Sequence, residues 1–174
     1  MIETTRLRLT PMSKDDAAFI YELVNSKGWL ENIGQRNVHS IEDAANYIQE
    51  KMIDHYDKFG YGNYLMTKKD GNEKVGCISL YNRDDVEGVD IGFAMLPQFM
   101  RMGYAYEGAI AIKDLAKDKF NLTGITAFTT KENIGSQKLI EKLGLKFKKT
   151  IEFGEEKEEL LFYELKFGNY NEVI

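Results

Sequence analysis

Pro97 fixes more of this chain's course than any other residue. The residues before it alternate between two faces, with Asp90, Gly92, Ala94 and Leu96 on one and Val89, Ile91, Phe93 and Met95 on the other. Proline cannot donate to a strand ladder, so a strand running from Val89 to Leu96 ends there and Gln98 to Gly103 becomes a strand-to-helix loop. Beyond it, Ala105, Ala109, Ile112, Ala116 and Phe120 carry a helical period, with Asn121 suited to a left-handed stop. Free backbone N–H groups and the positive end of a helix dipole make such a loop an anion site, and phosphate is the expected guest. Gly103 allows close approach of the backbone, while Ala105, Gly108 and Ala109 keep the first helical turns thin. An ordinary connection with a small-residue packing face accounts for the segment equally well. It is not a Walker loop, since no Gly-Lys-Ser/Thr follows, and the three-glycine dinucleotide pattern is absent.

The flanking sequence fills in an α+β layer architecture around one mixed sheet. Leu7, Leu9 and Pro11 alternate as a short strand, and Ser13 with Asp15 and Asp16 opens a helix whose apolar face is Ala17, Ile20, Tyr21 and Val24. Lys27 to His39 lacks a clean period and reads as a loop; its Trp29 is read as a packing group ahead of a substrate contact. Ser40 caps a long amphipathic helix through Ile41, Ala45, Ile48, Met52, Tyr56 and Phe59. From Tyr64 the period changes to an antiparallel meander, with strands Tyr64 to Lys68, Val75 to Tyr81 and Val89 to Leu96. A strand at Ile125 to Thr129, a helix from Ile134 to Leu143 ended by Gly144, a strand near Phe147 and a last strand from Glu159 to Lys166 complete the chain.

Composition narrows the function classes. With 174 residues, 43% of them hydrophobic and 29% charged, one domain spanning residues 1–174 is expected. The net charge of −5 disfavours nucleic acid, and Lys146, Lys148 and Lys149 read as a solvated strand edge on which alternation puts Lys146 and Lys148 on one face. No stretch approaches the roughly 20 apolar residues needed to span a bilayer, and Glu3, Arg6 and Arg8 interrupt any signal-peptide core, so a cytoplasmic protein without a membrane role is expected. Cys77, the only cysteine, reads as a small buried hydrophobe. His39 and His55 lie far apart with no metal-ligand spacing, so no metal is expected and both read as surface or loop residues.

Three motifs in order then carry a resemblance. The opening Glu3-Thr4-Thr5-Arg6-Leu7-Arg8-Leu9-Thr10-Pro11 is the first. The second is Asp90-Ile91-Gly92-Phe93-Ala94-Met95-Leu96-Pro97 leading into Gly103-Tyr104-Ala105-Tyr106-Glu107-Gly108-Ala109. The third is Glu132-Asn133-Ile134-Gly135-Ser136 with Leu139-Ile140-Glu141-Lys142-Leu143-Gly144-Leu145. Together they resemble the GNAT superfamily of acyl-CoA N-acyltransferases, in the branch similar to ribosomal-protein N-terminal (alanine/serine) acetyltransferases. The resemblance implies a mixed, mostly antiparallel sheet of six to seven strands with helices on both faces, splayed between the fourth and fifth strands. It implies acetyl-CoA as co-substrate and an amine acceptor. The family's phosphate loop, [Gln/Arg]-x-x-Gly-x-[Gly/Ala], maps onto Met100 to Ala105: Gly103 and Ala105 match, Met100 replaces the polar first residue, and Arg101 stands where the branch often has an extra glycine. A tyrosine that many relatives use as general acid falls at Ile140.

Site residues follow from the same resemblance. Pantetheine would pair with the backbone near Met95 and Leu96, the pyrophosphate would sit on the amides of Arg101, Met102, Gly103, Tyr104 and Ala105, and Asn133 would bond the pantetheine arm. Tyr104 and Tyr106 are read as helix-start packing groups ahead of cofactor contacts. Ser136 takes the role of proton donor or thiolate partner, with helix capping as its other reading. Asp90 is the first candidate for binding or deprotonating the amine, with a structural salt bridge as the alternative. Glu159 matches an acidic position near the substrate, although Glu155, Glu156, Glu158 and Glu159 also read as a solvated acidic turn. The expected activity is transfer of an acetyl group to a primary amine, either a protein N-terminal α-amine or a small-molecule amine, by direct attack in a ternary complex. A catalytically idle acyl-CoA-binding module and a domain that has lost the cofactor site are the alternatives. An exposed strand edge near the C-terminus fits a homodimer.

Overall fold

Alternation along Asn63–Lys68 (β3), Lys74–Asn82 (β4) and Val89–Met95 (β5) produces the expected antiparallel meander. The computed structural model of the protein describes residues 1–155 and 157–168; Glu156, part of the acidic turn, lies outside them. Upstream of the meander come β1 (Ile2–Glu3) and β2 (Leu7–Pro11), and downstream β6 (Gly124–Thr129), β7 (Lys146–Phe153) and β8 (Glu158–Lys166). The sheet has eight strands in the order β1-β2-β3-β4-β5-β6-β8-β7. Every neighbouring pair is antiparallel except β5 and β6, which run parallel and meet at the single register position Asp90 opposite Thr126. Beyond that position the two strands part, and the sheet is splayed where the resemblance implied. The additional strand, β1, is two residues long and too short to show any period.

Helices cover both faces. On one, α5 (Tyr104–Asp118) and α6 (Ile134–Lys142) bury Ile112 and Ile140 against Leu7, Leu9, Met66, Ile78, Leu80, Ile91 and Ile125. A Cβ on Gly108 would lie 2.7 Å from the Met66 sulfur, so glycine lets α5 sit this low on the sheet without displacing Met66. On the other face, α1 (Ala17–Val24), α2 (Lys27–Asn32) and α3 (Ile41–Ile48) pack Ile20, Leu23, Trp29 and Ile48 over Leu65, Cys77 and Leu96. Trp29 is a buried packing group, as expected. Cys77 is buried as well, and burial pushes its thiol up to about 12, well out of the reactive range.

Four expectations need correction. The segment from Lys27 begins as a helix, because the Ser26 hydroxyl accepts the Trp29 N–H and caps it; six residues are too few to show a period, and irregular chain follows only after it. The long amphipathic helix is interrupted by a π-helical turn at Gln49–Ile53 before α4 (Asp54–Phe59), and Gly60 stops it at φ 76°. A bulge between Phe147 and Lys149 breaks the alternation of edge strand β7, so Lys149, opposite Phe162, joins Lys146 on one face, where Lys148 also reaches Glu164 at 3.0 Å; all three lysines are exposed.

His55 is the fourth. It is buried rather than on the surface, stacked on Tyr81 with ring centroids 3.9 Å apart. Its Nδ1 lies 3.1 Å from the Tyr61 carbonyl and its Nε2 accepts the Asn82 N–H at 3.0 Å, which fixes a neutral ring protonated on Nδ1. Burial holds its pKa below the usual imidazole value, against the opposing effect of the Tyr61 carbonyl. The unfolded chain therefore takes up a proton near pH 6.5 that the folded chain resists, and the His55 contribution is full above about pH 6.5 and is lost as pH falls below it. Urea unfolding at pH 7.5 and pH 5.5 should show the wild type losing more stability between the two than His55→Gln, whose amide can keep the Asn82 contact without titrating.

Candidate active site

Strand β5 ends where Leu96 donates its N–H to Val75, and Pro97–Phe99 then forms a single 3₁₀ turn that uses the amides of Phe99 and Met100. After it the backbone pattern changes. Among the described residues, none of the amides from Arg101 to Tyr106 donates to another group of the protein; the first bond of α5 runs from Glu107 N–H to the Gly103 carbonyl. Arg101 at φ 62° and Gly103 at φ 83° are both left-handed, and the unused amides stand at the positive end of a 15-residue helix, a setting that favours an anion. Arg101 is exposed and makes no hydrogen bond or ion pair among the described residues. Met100 reaches across to α2, its Cε 2.7 Å from where a Cβ on Gly28 would stand. Tyr104 lies under the Arg6 guanidinium and Tyr106 under the Lys142 ammonium, at 4.4 and 4.0 Å from the ring centroids.

On the far side of the splay stands the N-terminus of α6. The Asn133 side-chain oxygen accepts the Ser136 N–H at 3.1 Å, so the asparagine caps the helix and its amide nitrogen stays available. The Ser136 hydroxyl is half-buried and makes no hydrogen bond to the protein among the described residues. Ile140, at the position of the family's tyrosine, is 1% exposed and belongs to the apolar core.

Asp90 lies at the root of the splay and is 4% exposed. Arg83 donates Nε–H to its Oδ1 at 2.8 Å, and the same guanidinium is stacked among Tyr81, Phe128 and Phe153 at 5.0, 5.3 and 5.7 Å. Its second oxygen, Oδ2, faces the space above Gly92: a Cβ there would sit 3.9 Å from Oδ2 and 3.0 Å from the Ser79 hydroxyl. Ser79, Gly92 and Ala94 are partly exposed although they lie on inner strands, so this face of the sheet carries an open strip leading to the carboxylate. Burial raises the Asp90 pKa above the ordinary carboxylate value, and the Arg83 charge and hydrogen bond oppose that rise without cancelling it. Directly opposite, the Thr126 hydroxyl is buried with no hydrogen-bond partner among the described residues.

Glu159 sits elsewhere. Register places Thr126, and with it Asp90, on the face of Phe162 and Glu164, whereas Glu159 shares the opposite face with Leu161 and Tyr163. It is 56% exposed and ion-paired with Lys131. The structure thus groups Asp90 with Ser79, Arg83 and Thr126, and leaves Glu159 on the other side. Arg83 and Ser79 escaped the sequence reading. Opposite charges seven residues apart across a hairpin were the available signal for the first, and a small polar residue facing Gly92 for the second.

An open sheet splayed beside an amide-lined helix N-terminus is the architecture of an acyl-CoA-dependent acetyltransferase. The chain belongs to the GNAT acetyltransferase domain family, whose profile matches residues 6–146. It is 32% identical over 153 residues to the uncharacterized N-acetyltransferase YjdG of Bacillus subtilis (strain 168), covering 83% of this chain and 88% of that one. Among solved structures it resembles a GNAT-family acetyltransferase from Bacillus anthracis, with TM-score 0.78, 21% identity and coverage of 95% and 97% of the two chains. It also resembles RimL, a ribosomal-protein α-N-acetyltransferase in complex with coenzyme A, with TM-score 0.80, 17% identity and coverage of 94% and 95%.

The exposed, unpaired Arg101 side chain leads to a direct expectation. Arg101→Gly should leave the acetyl-CoA dissociation constant within about threefold of wild type in calorimetry, under roughly 0.7 kcal/mol; a large gain in affinity would show that the side chain obstructs the loop.

Proposed function

We propose that this protein transfers the acetyl group of acetyl-CoA to a primary amine, a protein N-terminal α-amine or a small-molecule amine, by direct attack in a ternary complex. The observation that carries the reading is the run of unused amides from Arg101 to Tyr106 beside a sheet that opens immediately above a buried carboxylate. The amides of Arg101, Met102, Gly103, Tyr104 and Ala105 hold the pyrophosphate, and the unpaired edge of β5 near Met95 and Leu96 receives the pantetheine, which the Asn133 side-chain amide steadies. RimL supports an α-amine acceptor, since that protein acts on a ribosomal protein.

Asp90 binds the acceptor. Its Oδ2, on the open strip that also carries Ser79 and Gly92, accepts a hydrogen bond from the amine nitrogen, while Arg83 keeps Oδ1 occupied and the carboxyl plane fixed. An α-amine with a reference pKa of about 8 needs little help to lose a proton, and a buried carboxylate whose pKa is raised is better matched to take it than an exposed one. The neutral nitrogen forms its bond to the carbonyl carbon as the carbon–sulfur bond breaks, the proton it sheds passes to Asp90 and from there to solvent, and the departing thiolate accepts a hydrogen bond from the Ser136 hydroxyl and is protonated through it, the hydroxyl regaining its proton from solvent. Glu159 has no place in this scheme, because it lies on the opposite face and is held by Lys131.

Titration of the protein with acetyl-CoA followed by turnover assays on peptide α-amines and small amines tests the reading. Saturable binding at micromolar levels and turnover above the uncatalysed rate are expected, and no binding at millimolar acetyl-CoA would refute it. Asp90→Asn, which keeps an oxygen for Arg83, should lower the acetylation rate by about 100-fold with acetyl-CoA affinity unchanged. An unchanged rate would remove Asp90 from the mechanism.

A further inference from the structure

The loop that presents the free amides is held from behind by two residues that take no part in the scheme above. Arg6 lies in the connection between β1 and β2, and Glu107 in the first turn of α5. The Glu107 carboxylate accepts the Thr4 hydroxyl at 2.6 Å, the Arg6 backbone N–H at 2.7 Å and the Arg6 Nε–H at 2.7 Å. With Nε so fixed, the Arg6 guanidinium donates Nη1–H to the Met102 carbonyl at 3.0 Å and lies over the Tyr104 ring. Its Nη2 stands 3.2 Å from where a Cβ on Gly103 would be. The Arg6 carbonyl is in turn tied to the residue that follows β3, accepting the Lys69 N–H at 2.9 Å.

Met102 is flanked by the two left-handed residues, so its carbonyl decides how the loop faces. A trans peptide is planar, and the Met102 C=O and Gly103 N–H must point in opposite directions. By taking the carbonyl, Arg6 aims the Gly103 N–H away from itself, towards the open side of the loop, and removes a negative dipole from the anion receptor. It does the same for a charge. A carboxylate in the first turn of a helix is itself an anion able to sit on unused N-terminal amides. The donors from Thr4 and Arg6 hold Glu107 on the far side, and although burial pulls the other way they keep its pKa below the ordinary value, so it stays charged and engaged.

We propose that Arg6 and Glu107 are positioning residues for the cofactor, a latch from the N-terminal strand connection that keeps the phosphate loop in its anion-binding form. The inference rests on the acetyl-CoA reading above. It predicts a particular kinetic signature, since a loop that must be reordered weakens cofactor binding without altering the chemistry of a bound complex.

Arg6→Lys keeps the charge but loses the fork that spans Glu107 and the Met102 carbonyl, and Glu107→Gln keeps the shape but loses the charge that anchors the fork. Each should raise the acetyl-CoA dissociation constant and KM about tenfold with kcat at saturating acetyl-CoA within about twofold of wild type. The double variant should be little worse than either single one, because the pair acts as a unit. Wild-type affinity in both variants, or a fall in kcat with KM unchanged, would overturn the latch. Should Glu107→Gln fail to fold, Arg6→Lys alone decides, its side chain being 45% exposed. Failure of the wild type to bind acetyl-CoA would count against the functional reading instead, so the two outcomes are distinct.

Discussion

Strands β5 and β6 run parallel and touch at one register position, Asp90 opposite Thr126, and the rest of the molecule is arranged around that junction. Every other neighbouring pair can be joined by a hairpin or a longer antiparallel return. A parallel neighbour requires a crossover, and α5 provides it by leaving the end of β5 and lying across the sheet before β6 begins. Because β5 turns into a loop and helix while β6 is drawn into an antiparallel ladder with β8, the two strands have no reason to stay together beyond their first contact. The backbone edge of β5 is left open, and the N-termini of α5 and α6 end on either side of the gap. A site for a long, partly anionic molecule is thus a consequence of topology before any side chain is considered.

At the base of that gap the electrostatics are a compromise. Taking Asp90 out of water costs several kcal/mol unless the charge is paired, and Arg83 pairs with only one of its two oxygens. The guanidinium is itself held by three aromatic rings from β4, β6 and β7, so the ion pair is anchored across both halves of the split sheet. A fully satisfied carboxylate would be inert, and an unpaired one would drive its own protonation. One oxygen held by Arg83 and one without a protein partner among the described residues give a group that stays in place and can still take a hydrogen bond or a proton.

The legible parts of the sequence were those where a local rule and the tertiary environment agree. Pro97 ends the strand, Asn121 adopts the left-handed stop at φ 51°, and the meander follows its alternation. Short or long-range features were not legible. Two residues of β1 and six of α2 carry too little pattern. The face of Glu159 depends on how β8 registers against β6, which no window of local sequence contains. The burial of His55 is legible in the spacing, since it falls three residues after Met52 and four before Phe59 and therefore belongs to the apolar stripe of its helix. Its burial is tolerated because both ring nitrogens find backbone partners.

The loop from Arg101 to Tyr106, proposed to hold the pyrophosphate, shows why departures from a motif can be weak evidence about function. Recognition of phosphate by consecutive amides uses the backbone, so the identity of Met100 and Arg101 matters only through the conformations they permit. Met100 lies against Gly28 with its side chain partly in solvent, and Arg101 stands in solvent. What the substitution of a glycine position does change is strain: a non-glycine residue at φ 62° costs about 1–2 kcal/mol. A loop carrying that strain keeps its shape only if something outside it over-determines the conformation. The ties from Thr4, Arg6 and Glu107 converge on the peptide between the two left-handed residues. They bind the loop to the connection between β1 and β2, on the side of the sheet whose ladders are continuous, and not to the side where β5 and β6 part.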